Sequence, residues 1–338
     1  MIKKRLYWQV PFLLLLIVGT VVIIRQQHIM PYQHNEGTVF GTIYHFTYQS
    51  NEDLQQELEA ELKKVDQALS PFNKTSIISS INRNETVKVN KMFSDVFNLA
   101  MEISKDTDGA FDITVAPMVN AWGFGFKTGN KPTKHAIDSL KVIVGYQKVS
   151  MKDETVKKQH PHTMLDCSAI AKGYGADVIA RYLRKKGITN YMVEIGGEIV
   201  TNGNSEKRVP WRIGINKPTD DSLNTNTELQ TVLNVTDIAM ATSGNYRNFY
   251  YKNGRKYAHT IDPKTGYPVQ HNILSATVLA EDCATADAYA TAFMVMGMEG
   301  AKQILARHPE LMAYLIYSDQ KGNNAIWYSP SLKGKVLK

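Results

Sequence analysis

The sequence predicts an α+β fold, a single mixed domain of sheet and packed helices preceded by one N-terminal transmembrane helix. Three observations lead there. Amphipathic helical stretches and alternating strand stretches mingle along the chain without the βαβ rhythm of a doubly wound sheet. The 338 residues are 43% hydrophobic and 21% charged, a globular composition large enough for one big domain. An apolar run stands only at the N-terminus.

That run follows a positive head, Lys3, Lys4 and Arg5, and extends from Val10 to Ile24. Counted from Leu6 it reaches about 19 residues, close to the roughly 20 that a spanning helix requires. Tyr7 and Trp8 stand at the head end, where amphipathic rings favour the membrane interface. IIRQQHIMPY offers no small-x-small cleavage site and no Cys for lipid attachment. The expectation is an uncleaved, single-pass cell-membrane anchor in residues 1–30, with residues 31–338 forming an extracytoplasmic domain. Residues 1–36 carry a net +3 of the total +7. The +4 left on the rest of the chain is too little for a nucleic-acid binder.

Pro31 to Gly37 is polar and suits a short linker. Gly37 to Gln49 alternates through Val39, Ile43 and Phe46 and predicts a strand. Leu54, Leu58, Leu62, Val65 and Leu69 predict a helix over 51–69, with Asn51 as N-cap. Met92, Val96, Leu99 and Ile103 predict a second helix over 91–106. A third spans 172–186 and closes at Gly187. Strands follow at 190–195, 211–216 and 275–280, then a helix over 282–298 and a strand over 311–318.

Four stretches combine glycine, acidic and hydroxyl residues in ways a plain core does not. In GAFDITVAPMVNAWGFG, Asp112 lies between Phe111 and Ile113, so strand alternation would turn it away from them. An exposed or turn-stabilising carboxylate explains it equally well. In LDCSAIAKGYGAD, Asp166 and Ser168 cluster at a helix N-terminus, where anions bind readily. An ordinary capped helix start reads the same way, and neither the Rossmann nor the P-loop pattern is matched. EIGGEI places two glycines between acidic residues, suited to a tight turn or to close approach of a ligand.

The fourth runs from ATSGNYRNFY through AHTIDPKTGYP to CATADAYATA. Asp287 and Thr291 are i and i+4 on one helix face, a pair of hard oxygen donors suited to Mg²⁺ or Ca²⁺. His259 is a candidate general base, since imidazole as a class titrates near neutrality, although an isolated His is also common as a structural residue.

Taken in order, GAFDIT, VNAWGFG, the run Asp166–Gly173, VEIGGEI, ATSGNYRN, HTIDPKTGYP and the run Asp287–Thr291 closely resemble the ApbE family. The resemblance covers about Gly37 to Met298. It implies an ApbE-like fold of mainly antiparallel sheet with packed helices. The implied activity is that of an FAD:protein FMN transferase. Such an enzyme takes FMN from FAD, attaches it to a protein threonine as a phosphoester and releases AMP, with Mg²⁺ as cofactor. Ala110, Phe111, Asp112, Asp166, Lys172 and Ile261 would then contact the flavin nucleotide. The carbonyl of Ala169 with Asp287 and Thr291 would hold the metal, and His259 would take the acceptor threonine's proton. Ala290 stands where some relatives have a liganding Asp, so water would fill that place.

Two departures are a family Met that is Phe40 here and an adenine-side Tyr that is Phe72. Phe72 keeps a stacking face but forfeits a hydroxyl hydrogen bond. The implied partner is an exported or membrane electron-transfer flavoprotein carrying the acceptor threonine. An FAD pyrophosphatase yielding FMN and AMP, and a non-enzymatic FAD-binding assembly protein, are the competing readings. Cys167 and Cys283 flank the two ligand stretches, and either a disulfide or two buried thiols fits the sequence.

Overall fold

The computed structural model describes all residues except 1, 126–131, 220–227, 246–248, 253–254 and 338. The chain begins with helix α1, Ile2–Ile29, and then hairpin β1 (Tyr32–Val39) and β2 (Thr42–Gln49). Helices α2 (Gln55–Leu69), α3 (Ile77–Asn82), α4 (Lys91–Asp106), α5 (Ala116–Ala121) and α6 (Lys134–Lys141) follow. Next come hairpin β3 (Val149–Lys152) and β4 (Thr155–Lys158), helix α7 (Ala171–Lys185), and strands β5 (Tyr191–Ile195) and β6 (Glu198–Asn202). Strands β7 (Trp211–Asn216), β8 (Leu229–Val235), β9 (Ile238–Gly244), β10 (Phe249–Lys252), β11 (Arg255–Ala258) and β12 (Ile273–Ala280) lead into α8, Cys283–Arg307. Strands β13 (Met312–Ser318), β14 (Asn324–Tyr328) and β15 (Val336–Leu337) complete the chain.

The main sheet has the order β1-β2-β5-β6-β9-β12-β13-β14, and its described pairings are all antiparallel. The fold is therefore α+β with a mainly antiparallel sheet, as the sequence predicts. Strand alternation gives this sheet two apolar faces. Ala239, Ala241, Ala276, Val278, Ala313 and Leu315 face the helices and join the larger core. Met240, Leu279, Tyr314 and Ile316 face the other way, onto Ile213, Ile215, Leu233 and Val235 of a small sheet ordered β15-β8-β7. Helices, main sheet and small sheet make three layers. A third cluster gathers Met118, Trp122, Ile137, Tyr257 and Ile261.

The helix over 91–106 is found as predicted, capped by Asn90, whose side chain accepts from the Phe93 amide. Other expectations need correction. Pro31 to Gly37 is largely strand, not linker, and the single strand over 37–49 is a hairpin. Phe40 (φ +52) and Gly41 (φ +75) form its two-residue turn, and a pair of left-handed residues folds a strand back with the right twist. Helix α2 starts at Gln55 rather than Asn51, because Asp53 accepts from the Gln55 amide and Tyr48 from that of Leu54. Asp112 is in no strand; it is buried in a turn along with Phe111 and Ile113. Helix α8 runs on past 298 to Arg307 through a break at Gly297, φ +76.

In α1 the run Phe12 to Val18 is at least half exposed at every position. Val10 to Ile24 covers about 22 Å at the helical rise, short of the roughly 30 Å of a bilayer core. Among the described residues no helix is long and apolar enough to cross a membrane.

The site is positioned by the crossing of α7 and α8. A Cβ on Gly173 would lie 2.3 Å from the Cys283 carbonyl oxygen, so only glycine permits this approach. One turn further along α7, buried Asp177 accepts from the Cys283 amide (2.8 Å) and the Ala284 amide (2.9 Å). Asp282 takes the Thr285 amide at 2.8 Å, so the first turn of α8 is satisfied within the protein. Asp177→Ala would strand two buried amides, and a loss of about 2–4 kcal/mol is expected from the denaturation midpoint. An unchanged midpoint would show that the crossing does not depend on this carboxylate.

Candidate active site

Lys172, on the first turn of α7, and Asp287, on the second turn of α8, meet where the two helices cross. Glu198, the first residue of β6, closes the group from the sheet side. Lys172 Nζ is 2.5 Å from Glu198 Oε1 and 3.9 Å from Asp287 Oδ2. Both carboxylates are almost fully buried, at 3% and 4% side-chain exposure, while Lys172 keeps 28%. Burial opposes the Lys172 charge, but Asp287 and Glu198 together raise its pKa above the ordinary lysine value. Burial pushes Glu198 up to about 7, with Lys172 pulling it down and Asp287 adding to the rise. Burial raises Asp287 as well, against the opposing Lys172 charge.

Glu198 was not singled out by the sequence reading, although EIGGEI was. The signal was the two-glycine turn, Gly196 (φ +62) and Gly197 (φ +100), which returns the chain so that Glu198 points under α7. Its Oε2 has no hydrogen-bond partner among the described residues. Buried polar atoms are ordinarily paired, so this oxygen stands out.

Asp287 Oδ2 accepts from the Gly173 amide at 3.2 Å. Ala169 stands just before Ile170, the N-cap of α7, so its carbonyl lies outside the helix ladder. Thr291, one turn beyond Asp287, is 3.1 Å from Ser243 Oγ at the end of β9. Carbonyl, carboxylate and hydroxyl are a hard-oxygen set that suits Mg²⁺. No group of three or more His, Cys, Asp or Glu side chains able to hold a metal occurs among the described residues. Ala290 is fully buried.

The segment bearing His259 reaches this point through β9. Two residues beyond Ser243, Asn245 Oδ1 accepts from Thr260 Oγ1 at 2.6 Å, and His259 adjoins Thr260. The His259 ring lies edge-on to Phe124, 6.5 Å between centroids. Phe124 stacks on Tyr250, Tyr250 on Tyr257, and Tyr257 on Trp122. Trp122 donates to the Gly266 carbonyl at 2.8 Å, which folds the IDPKTGYP loop back onto α5. Ile261 is buried beside that loop and bridges to Pro268. Ser243, Asn245 and Phe124 also went unselected, though all three lie within motifs the sequence reading had marked.

The remaining candidates divide. Asp112 is committed within the protein: Oδ1 takes the Thr114 amide and hydroxyl, and Oδ2 the Tyr146 amide at 2.7 Å. Its carboxylate braces the loop containing Ala110 and Phe111, and burial raises its pKa. Asp166 holds the Ser168 amide and hydroxyl, while its own amide donates to Ile113, joining the two motifs. Phe40 packs against α7, where a Cβ on Gly175 would come within 2.8 Å of its ring. Phe72 is on the surface, 71% exposed. Cys167 and Cys283 are both buried free thiols.

A model of the ApbE family matches residues 40–316. The FAD:protein FMN transferase of Vibrio cholerae is 39% identical over 277 residues, 79% of this chain and 82% of that protein. The Haemophilus influenzae protein of the same name is 37% identical over 303 residues, 85% of this chain and 86% of the relative. Among solved structures, the flavin transferase ApbE from Vibrio cholerae superposes with a TM-score of 0.81 at 36% identity, covering 90% of this chain and 99% of that one. The ApbE protein of Thermotoga maritima gives 0.77 at 28% identity, covering 91% and 100%. With the motifs, the three-layer fold and the α7–α8 crossing all accounted for, the chain belongs to the ApbE family.

Proposed function

We propose that the protein is an FAD:protein FMN transferase that moves FMN from FAD onto a threonine hydroxyl of a flavoprotein, using Mg²⁺. The observation that carries this reading is the α7–α8 crossing, where Lys172 and Asp287 meet beside Glu198. Ala169, Asp287 and Thr291 would hold Mg²⁺, which when bound polarises the FAD pyrophosphate and offsets charge on the departing AMP. Lys172 supplies a fixed positive charge to the pyrophosphate. Ala110, Phe111, Phe40 and Ile261 offer apolar surface for the nucleotide, while Asp112 and Asp166 hold the two loops beside it. Phe72, on its exposed loop, would stack at the adenine side.

His259 takes the threonine proton, and the hydroxyl oxygen attacks phosphorus on the FMN side. A phosphoester forms, the pyrophosphate bond breaks and AMP leaves. The edge of Phe124 restrains the imidazole. Separate elements carry the base and the phosphate end.

Localisation follows from α1. Seven consecutive residues, Phe12 to Val18, are exposed and apolar around the whole helix, a surface that water does not tolerate uncovered. The apolar stretch of about 22 Å lies within a helix of 28 residues, about 42 Å long in all, and a bilayer thins locally to meet a short stretch. We read it as a single-pass anchor, with Lys3, Lys4 and Arg5 inside and the domain outside the cell membrane, among exported or membrane-bound acceptors.

Three outcomes are expected. Incubation with FAD, Mg²⁺ and a threonine-bearing candidate acceptor should add the mass of one FMN to the acceptor, and EDTA should abolish the gain. FMN and AMP without an adduct would indicate the pyrophosphatase instead, and unconverted bound FAD a carrier. His259→Ala should slow transfer by about 10²–10⁴-fold while the FAD dissociation constant stays within about twofold; normal flavinylation by this variant would remove the base. The full chain should sediment with membranes after carbonate extraction and the chain from Gln33 onward should not. Recovery of the full chain in the soluble fraction would refute the anchor.

A further inference from the structure

We propose that Glu198 is a positioning residue that keeps Lys172 off Asp287 and so leaves Asp287 free to take a divalent cation. This rests on the metal reading given above. The geometry is one ammonium between two buried carboxylates, with Nζ at 2.5 Å from Glu198 and 3.9 Å from Asp287. The lysine is thus hydrogen-bonded to Glu198 and only within electrostatic range of Asp287. An ammonium bonded directly to Asp287 would occupy the oxygens a cation requires and would repel the cation at close range.

Glu198 is suited to this by its origin on the sheet rather than on either helix. The turn at Gly196 and Gly197 fixes it from below, so its hold on Lys172 does not depend on the helices shifting. Its second oxygen, Oε2, is buried without a partner among the described residues. Two carboxylates around one lysine leave an excess negative charge at the crossing, which attracts a cation even with Lys172 present. The lysine keeps 28% of its side chain exposed.

The test is Mn²⁺ binding to the full-length protein in detergent, followed by electron paramagnetic resonance without FAD. Glu198→Gln should weaken Mn²⁺ by about 10–100-fold, the range seen when residues that orient metal ligands are removed. The double variant Glu198→Gln with Lys172→Met should regain most of that affinity, because the lysine that collapses onto Asp287 is gone. A direct ligand role for Glu198, or general disruption of the fold, predicts no regain, and either would overturn the proposal. Unchanged Mn²⁺ affinity in Glu198→Gln would overturn it too. Wild-type protein that binds no Mn²⁺ would remove the metal reading and this inference together, whereas failure of the variants alone removes only the inference.

Discussion

The close crossing of α7 on α8 is the constraint on which the rest of the structure depends. Helices with ordinary side chains pack with axes about 8–10 Å apart. Here Gly173 lets the α7 backbone reach the Cys283 carbonyl, and the alanines along α8 let that helix settle closely on the sheet. Asp177 then locks the arrangement by capping α8 from the neighbouring helix, and burial drives its carboxyl up to about 7 against the pull of the two amides. Everything placed near the crossing inherits its precision: Lys172 one residue before Gly173, Ala169 before it, and Asp287 one turn into α8.

The same crossing decides where a ligand can and cannot go. Helix N-termini attract anions through their unpaired amides. On α8 those amides are consumed by Asp177 and Asp282, so that end is closed. On α7 the Gly173 amide goes to Asp287, which uses the helix to orient a carboxylate rather than to bind phosphate. The charges that remain for chemistry are therefore side-chain charges: one partly exposed lysine and two buried carboxylates. An acidic cluster of that kind repels a pyrophosphate unless a cation stands between them, which gives a physical reason for metal dependence in the proposed reaction.

Much of this was legible in the sequence where the information is local. The period of Met92, Val96, Leu99 and Ile103 placed α4 to the residue, and the i, i+4 spacing of Asp287 and Thr291 put both on one face of α8. Signals that depend on distant partners were not legible. Phe40–Gly41 is an unusual hairpin turn, since Phe rarely takes a left-handed conformation, and the packing of its ring on α7 is visible only in three dimensions. The burial of Asp112 depends on Tyr146, 34 residues away, and that of Glu198 on Lys172, 26 residues away. β15 pairs with β8 across about a hundred residues, beyond any periodicity.

Strand β9 links the two halves of the proposed reaction. Its last residues, still paired with β12, run beside α8, where Ser243 meets Thr291, and two residues later Asn245 holds Thr260 next to His259. A strand rises about 3.3 Å per residue, so these few residues fix the imidazole segment relative to α8 more rigidly than a loop would. The aromatic stack from Phe124 to Trp122 supports the same segment from the far side. The sheet thus serves as the ruler between base and phosphate end, and the small sheet packed on its opposite face, through Met240 of β9 itself, stiffens that ruler. Substitutions in the second core, remote from every reacting atom, then act on the proposed transfer by changing how far His259 stands from the phosphorus it serves.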